Sequence, residues 1–246
     1  MKRLNKYISD TGFCSRREAD KLIEQGRVIV NGSTPELGTK IGEADKVSVD
    51  GHLISAVPEN KSDRVYLAYH KPVGITCTTE RKVQGNIVDA VNYHQRIFPI
   101  GRLDKPSEGL ILLTNDGDIV NKILRAENAH EKLYRVNVSR PLTDNFLYKM
   151  SRGVPILDTI TLPCEVKQVG KMSFDIVLTQ GLNRQIRRMC EYLGYEVVRL
   201  VRKRVMHISL GGLKPGQYRK LSIDELSQLN AQVQDSTKTA STPSNK

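Results

Sequence analysis

From residue 64 onward the chain carries five short runs of strand-forming residues, VYLAYH, GLILLTN, LYRVNVS, SFDIVLTQ and EVVRLVR, and only two stretches with helical periodicity, IVNKILRA and NRQIRRMCEYLG. A doubly wound parallel sheet needs a regular beat of strand and helix, and that beat is absent. The pattern predicts an α+β fold with a mixed, mainly antiparallel sheet flanked by helices.

Residues 1–56 read as a separate, smaller unit. Ser15 stands three residues before Glu18, the S-x-x-E spacing that caps a helix, and Ala19, Leu22 and Ile23 then share one helical face up to Gly26. RVIVNG follows and closes on Asn31-Gly32; DKVSVDG repeats the strand-then-turn pattern and closes on Asp50-Gly51. Two short helices followed by small strands are expected. The stretch 57–63 (VPENKSD) has turn-forming residues without periodicity and is the expected linker to a larger domain over 64–230. Residues 231–246, with no aromatic residue and little to bury, are expected to form a disordered tail.

Over 246 residues, 38 Lys and Arg outnumber 27 Asp and Glu, a formal charge of +11, and 39% hydrophobic content suffices for a real core. So basic a chain suits a polyanion, RNA or DNA, as partner, although charge alone fits a merely basic protein equally well. No apolar run approaches the roughly 20 residues that a membrane span needs. MKRLNKYISD lacks an apolar segment behind its basic residues, so no membrane association and a cytoplasmic location are expected. Cys14, Cys77, Cys164 and Cys190 are scattered singly, which predicts free, mostly buried thiols. Neither they nor His52, His70, His94, His130 and His207 have metal-ligand spacing, and a Walker loop and a G-x-G-x-x-G fingerprint are absent. No metal and no nucleotide cofactor are expected.

Between Met1 and Pro35 there are seven basic residues against four acidic, several beside a helix N-terminus, where they can meet phosphates and displace counterions. An ordinary solvated helix carries such charge too. The string RLNKYISDTGFCSRREADKLIEQGRVIVNG decides between the two: its leading R-L, the S-R-R pair opening the second helix and the G-x-V-x-V-N-G exit resemble the S4 RNA-binding domain. That resemblance implies a two-helix surface docked on structured RNA, with Arg3, Lys6, Arg16, Arg17, Lys21 and Arg27 as phosphate contacts.

In FPIGRLDKPSEGLILLTNDGD, Asp104 lies between Arg102 and Lys105 in a glycine-bounded segment just before an apolar strand. Cationic flanks keep a carboxylate ionised, as a nucleophile or base at a phosphate groove must be; a turn aspartate with solvated neighbours has the same look. The longer pattern G-R-L-D-x-x-S-x-G-L-x-x-L-T-N-D-G resembles the catalytic motif of the pseudouridine synthases of the RsuA group, the S4-bearing branch that modifies ribosomal RNA. Pro106, where a polar residue is expected, is a minor departure. His70-Lys71-Pro72-Val73-Gly74, the strand from Glu131 to Val136 and GLNRQIRRM at 181–189 resemble further segments of the family in the expected order, so the likeness runs from Met1 to about Leu229. NKILRAENAHEK, GVPIL and GLNRQIRRMCEYLGYEV narrow it to a subgroup acting on the large ribosomal subunit.

Ile186, Met189, Cys190 and Leu193 recur at i, i+3, i+4 and i+7 and predict the buried stripe of a helix that ends at Gly194. Arg184 and Arg188 fall on its exposed face and suit an RNA groove, whereas Arg187 falls at the edge of the stripe, within reach of a partly dry site. The segment from Gly181 to Arg204 holds seven basic residues against two acidic, so the groove is expected to be strongly positive. By resemblance, Arg187 pairs with the catalytic Asp104, Tyr134 is the platform on which a flipped uracil stacks, and Arg102 fills the space the base leaves. An inward strand tyrosine serves a core equally well.

The resemblance thus implies a small N-terminal S4-type domain followed by a pseudouridine synthase domain, isomerising uridine in folded 23S ribosomal RNA at a hairpin near the peptidyl-transferase region. A tRNA anticodon arm, with its similar stem-loop, is the second implied substrate. Uracil detaches from the ribose on which Asp104 acts, turns, and rejoins through C5 without gain or loss of atoms, in keeping with the missing cofactor motifs. Whether Asp104 attacks C1′ or removes a sugar proton is not written in the sequence, and a monomer is the default. Two other classes compete. A binding-only protein would have replaced Asp104, Tyr134 or Arg187, and an S4-bearing methyltransferase would need a glycine-rich S-adenosylmethionine loop; neither condition is met.

Overall fold

The computed structural model describes residues 1–11, 13–54, 64–80, 82–124 and 130–238, which form two compact units. The first comprises residues 1–65 with 94–97 and 115–117; the second comprises the rest. The expected linker at 57–63 lies outside the described residues, and no single cut in the sequence yields the first unit. Residues 115–117 join it because Arg64 Nη1 pairs with Asp116 at 2.9 Å and the Val65 N–H donates to Asn115 Oδ1 at 2.8 Å.

In the first unit β1 (Lys2–Arg3) leads into α1 (Leu4–Asp10), α2 (Arg16–Glu24), β2 (Val28–Val30), β3 (Lys40–Ile41), β4 (Val47–Val49) and β5 (His52–Ile54). Ser15 Oγ accepts the Glu18 N–H at 3.1 Å and so caps α2 as its spacing requires. Asn31 and Gly32 both take positive φ (50° and 85°), as do Asp50 and Gly51 (50° and 79°), which are the backbone angles of two-residue hairpin turns. The second of these turns joins β4 to β5 within the antiparallel sheet β2-β4-β5. Leu4, Ile8, Ala19, Leu22, Ile23, Val28, Val47 and Val49 bury together beneath the two helices.

The second unit runs through β6 (Tyr66–Lys71), α3 (Ile87–Val91), β7 (Phe98–Ile100), β8 (Glu108–Thr114), α4 (Gly117–Leu124), β9 (Lys132–Val138) and α5 (Asp144–Arg152). The hairpin β10 (Pro155–Ile156) and β11 (Thr159–Ile160) follows, then β12 (Glu165–Gly170), β13 (Ser173–Leu178), α6 (Gln185–Tyr192), β14 (Val197–Val205), β15 (Ile208–Ser209), β16 (Tyr218–Lys220) and α7 (Ile223–Lys238). One nine-stranded sheet follows the path β12-β13-β9-β14-β8-β6-β16, with β15 on β14 and β7 on β8. All its pairings are antiparallel except β14 with β8, so the mixed, mainly antiparallel sheet is as expected.

Successive side chains of a strand face opposite sides. On β14, Leu200 packs with Val136, Phe174 and Ile176 and with the helical side chains Phe146, Met150, Ile186 and Met189; its neighbour Val201 packs with Ala68, Leu110, Leu112, Ile119 and Leu229. Apolar cores therefore cover both faces, and β8 is buried along its whole length, as an interior strand covered twice must be. One register row crosses five strands: Lys71 on β6, Gly109 on β8, Arg202 on β14, Tyr134 on β9 and Ile176 on β13. No helix among the described residues is long and apolar enough to cross a membrane.

The expected tail at 231–246 is corrected over residues 231–238 by α7, which continues to Lys238; residues 239–246 lie outside the described residues. Leu229 and Val233 are buried in the second core with Leu226 packed against it, so a docked stripe carries the helix past the point where composition alone argues for disorder. Ser222 and Glu225 form a capping box: the Glu225 N–H donates to Ser222 Oγ (3.1 Å) and the Ser222 N–H to Glu225 Oε2 (2.9 Å). Arg219 grips the same carboxylate with both Nη atoms, at 2.6 and 2.7 Å, and its hydrogen bonds, the largest cause, hold the Glu225 carboxyl down at about 2 against an ordinary 4.5. A folded-state pKa below the unfolded one contributes stability that is complete above the unfolded value and lost as pH falls. Glu225→Gln is therefore expected to destabilise the protein at pH 6 and to differ progressively less from the wild type as pH falls from about 4.5 to about 2, read from urea melts across that range.

Candidate active site

Asp104 lies in the segment between β7 and β8, which has no strand partner of its own. Its main-chain carbonyl accepts the Ser107 N–H at 2.9 Å and closes a turn, while the carboxylate, half-buried, takes part in no hydrogen bond or ion pair among the described residues. Arg102, two residues earlier, is exposed; Leu103 between them is buried.

Arg187 approaches this turn from the first half of α6. Ile186, Met189 and Cys190 are buried and Leu193 packs against the same core, the stripe that the spacing predicts, and Arg187 is half-buried at its edge. Its Nη2 donates to Pro106 O and to Ser107 Oγ, both at 3.1 Å, and its Nη1 to Val197 O at 3.3 Å. The expected direct pair with Asp104 is not formed. The guanidinium is taken up by the two residues that follow Lys105, and its influence on the carboxylate comes through the turn they build and through its field. Burial pulls the Arg187 pKa below its ordinary value, Arg184 pulls it further, and Asp104 opposes both. Arg187 Nε is buried without a partner, a donor left over after the turn is satisfied. Because the partner on residue 106 is a backbone carbonyl, the unexpected proline there costs Arg187 nothing.

Tyr134 sits in the register row two strands from β8, half-buried against the first core beside Ile176. Leu133 and Arg135 face the other way, and Arg135 pairs with Asp175. Arg202, next to Tyr134 in the row, is buried; its Nε donates to Leu110 O at 2.6 Å and its Nη1 reaches Arg102 O at 3.5 Å, with no carboxylate against it. Lys71, at the end of the row, is fully buried and donates from Nζ to Pro72 O and Ile75 O at 2.9 Å. Burial holds its ammonium below the ordinary value, and Cys77, Asp104 and Glu108 oppose that shift. Sequence reasoning quoted Lys71 and counted Arg202 without assigning them to the site. Lys71 carried a signal, a charged residue closing a strand buried along its whole length, whereas Arg202 stands among Arg199, Lys203 and Arg204 on β14 and nothing local singles it out.

The other predicted contacts separate into free and engaged groups. Arg3, Arg16, Arg17 and Lys21 are exposed and make no ion pair among the described residues, and Arg16 and Arg17 stand in the first turn of α2, the end of a helix that favours anions. Arg27 is held by Asp50 at 2.6 and 2.7 Å, and Lys6 pairs with Asp10 at 3.2 Å. In the second unit Arg184 is exposed, whereas Arg188 is turned onto its own loop, donating to Asn183 O and Oδ1 at 3.0 and 3.2 Å. All four cysteines are free; Cys14 and Cys190 are buried, and Cys77 and Cys164 half-buried.

Asp104 thus presents a half-buried carboxylate without a hydrogen-bond or ion-pair partner among the described residues, within the electrostatic reach of Lys71 and Arg187, and Tyr134 offers a half-buried aromatic ring on the sheet. Comparison with known proteins identifies the family. Residues 65–192 match the family described as RNA pseudouridylate synthase, and residues 2–47 match the S4 domain. The chain is 55% identical, over 97% of its length and 82% of the relative's, to the Dual-specificity RNA pseudouridine synthase RluF of Salmonella typhi. It is 36% identical to Ribosomal large subunit pseudouridine synthase B of Bacillus subtilis, over 94% of this chain and 96% of that one. A crystal structure of a pseudouridylate synthase superposes with a TM-score of 0.68 at 26% identity, covering 93% of this chain and all of the other. With 128 consecutive residues inside the family profile and a 55% identical relative matched over 97% of this chain and 82% of its own length, the chain belongs to the RNA pseudouridylate synthases, carries an S4 domain in its N-terminal unit, and isomerises uridine to pseudouridine in RNA.

Proposed function

We propose that the substrates are a hairpin of 23S ribosomal RNA and the anticodon arm of a transfer RNA, and that Asp104 acts on the ribose of the flipped uridine. The observation that carries the assignment of Asp104 is its carboxylate, half-buried within the electrostatic reach of Lys71 and Arg187 yet without a direct partner among the described residues. The two substrates are supported by relatives that match nearly the whole chain and are named as dual-specificity and as acting on the large ribosomal subunit. The first unit grips the RNA through Arg3, Arg16, Arg17 and Lys21, with Lys6 and Arg27 exchanging their carboxylate partners Asp10 and Asp50 for phosphates. Arg102 enters the stack, the uracil lies on Tyr134, and Arg187 and Arg184 keep the groove positive. The N1–C1′ bond breaks, the uracil turns, C5 bonds to C1′, and the C5 proton is lost as N1 gains one.

Carbodiimide adducts of pseudouridine, mapped by primer extension on 23S and transfer RNA from cells with and without the protein, test the substrate assignment. Loss of adducts from one large-subunit hairpin and from an anticodon arm is the expected result. Unchanged 23S adducts would overturn the ribosomal half, and unchanged transfer-RNA adducts the other half.

A further inference from the structure

We propose that Cys77 is a positioning residue for the isomerisation, its thiol holding both backbone groups of Leu103 and thereby fixing where Asp104 points. The inference rests on the reading of Asp104 as the reacting carboxylate.

Residues 101–107 lie between β7, which ends at Ile100, and β8, which begins at Glu108, so the peptide groups on either side of Asp104 have no sheet ladder to satisfy them. A buried backbone N–H or C=O without a partner is costly, and something must replace the missing strand. At Leu103 the replacement is one atom. Cys77 Sγ donates to Leu103 O at 3.2 Å and accepts the Leu103 N–H at 3.4 Å. On the other side of Asp104 the Gly74 N–H donates to Lys105 O at 2.8 Å. Asp104 is thus suspended between two residues tied to the same loop.

That loop is itself stiffened. Lys71 Nζ bonds the carbonyls of Pro72 and Ile75 at 2.9 Å, and Thr76 is tied on both sides, its N–H to Gly85 O and its carbonyl from the Ile87 N–H, each at 2.9 Å. To serve Leu103 twice, residue 77 needs a side chain that both donates and accepts, which a protonated thiol does. Burial, the largest influence on it, pushes the Cys77 pKa up and keeps that thiol protonated at neutral pH, with the Leu103 hydrogen bond and Lys71 pulling the other way. The sheet has no other contact that holds Leu103 in this manner among the described residues. A displacement of the reacting group by about 1 Å costs on the order of 100-fold in rate.

Cys77→Ala and Cys77→Val remove both hydrogen bonds, and Cys77→Ser keeps a donor and an acceptor. With a 23S hairpin transcript, the alanine and valine variants are expected to lose about 10- to 100-fold in kcat with KM within about twofold of wild type, and serine to recover to within about threefold. Asp104→Asn is assayed beside them. Normal turnover by Asp104→Asn would sink the Asp104 reading itself. An inactive Asp104→Asn together with wild-type kcat in a folded alanine or valine variant, or with serine no better than alanine, overturns the Cys77 inference alone. Should neither apolar variant fold, amide exchange in the wild type decides: slow exchange of the Leu103 N–H supports the clamp, and exchange at the rate of an open loop overturns it.

Discussion

Asp104→Asn is expected to lower kcat by about 10,000-fold or more while RNA affinity stays within a few-fold of wild type, a loss of the size that follows removal of a nucleophile or base. Asparagine keeps the volume and the polarity of the side chain, but its neutral amide oxygen is too weak a nucleophile to attack C1′ and too weak a base to take a sugar proton at neutral pH. The variant should fold normally, because the Asp104 carboxylate takes part in no hydrogen bond or ion pair among the described residues and the turn uses only its main-chain carbonyl. Its melting transition is expected to lie within about 0.5 kcal/mol of the wild type. Single-turnover assays with saturating enzyme separate chemistry from binding. Turnover within tenfold of wild type would remove Asp104 from the reaction.

Gly109→Ala is expected to cost the most stability of any single methyl addition in the second unit. Gly109 has φ of +114°, a region that side-chain-bearing residues rarely adopt, and it pairs with Lys71 on one side and Arg202 on the other. A Cβ there would stand 2.5 Å from Arg202 N and in collision with the Arg202 carbonyl, both backbone atoms that can move only if the β8–β14 pairing opens. Left-handed strain of about 1–3 kcal/mol and a comparable overpacking term together make about 2–6 kcal/mol, comparable with the lower end of a typical domain's stability of about 5–15 kcal/mol. Equilibrium unfolding in urea should show a loss of at least about 2 kcal/mol, or no folded protein. Gly212→Ala, where a Cβ meets nothing within 4 Å, is the control and should lie within about 0.5 kcal/mol of wild type. A Gly109→Ala protein as stable as that control would mean that the parallel pairing tolerates a side chain.

The two predictions fail at different levels, one at the chemistry and one at the scaffold, and the register row explains why both matter to the same reaction. Gly109 lets the Arg202 backbone approach β8 closely, and Arg202 in turn reaches the carbonyl of Arg102 and lies next to Tyr134. Widening that row by one methyl would move the floor on which Asp104 and Tyr134 are arranged, so residual folded Gly109→Ala is expected to lose activity as well.

Much of this was decided by local chemistry and could be read directly. Ser15 caps α2 because a hydroxyl three residues from a free N–H needs no tertiary help, and Asn31-Gly32 and Asp50-Gly51 take left-handed angles because those residues tolerate them. The α6 stripe of Ile186, Met189 and Cys190 follows from helical spacing alone, and the GRLD pattern led to Asp104 and to the family. What depends on neighbours distant in sequence could not be read. The parallel pairing of β8 with β14 joins residues about ninety apart, and the end of α7 depends on a core assembled from β6, β8 and β14. Composition therefore placed a tail where a docked helix stands. The same holds for the partner of Arg187, where charge complementarity favours Asp104 but the folded turn offers Pro106 O and Ser107 Oγ first. The sequence by itself determined the caps, the turns, the apolar faces and the identity of the candidate reacting residue. Only the tertiary structure decided which backbone groups were left without a strand partner, and hence that Cys77, Arg187 and Lys71 each satisfy main-chain atoms near Asp104, since hydrogen-bond demand at a site exists only once the chain around it has been folded.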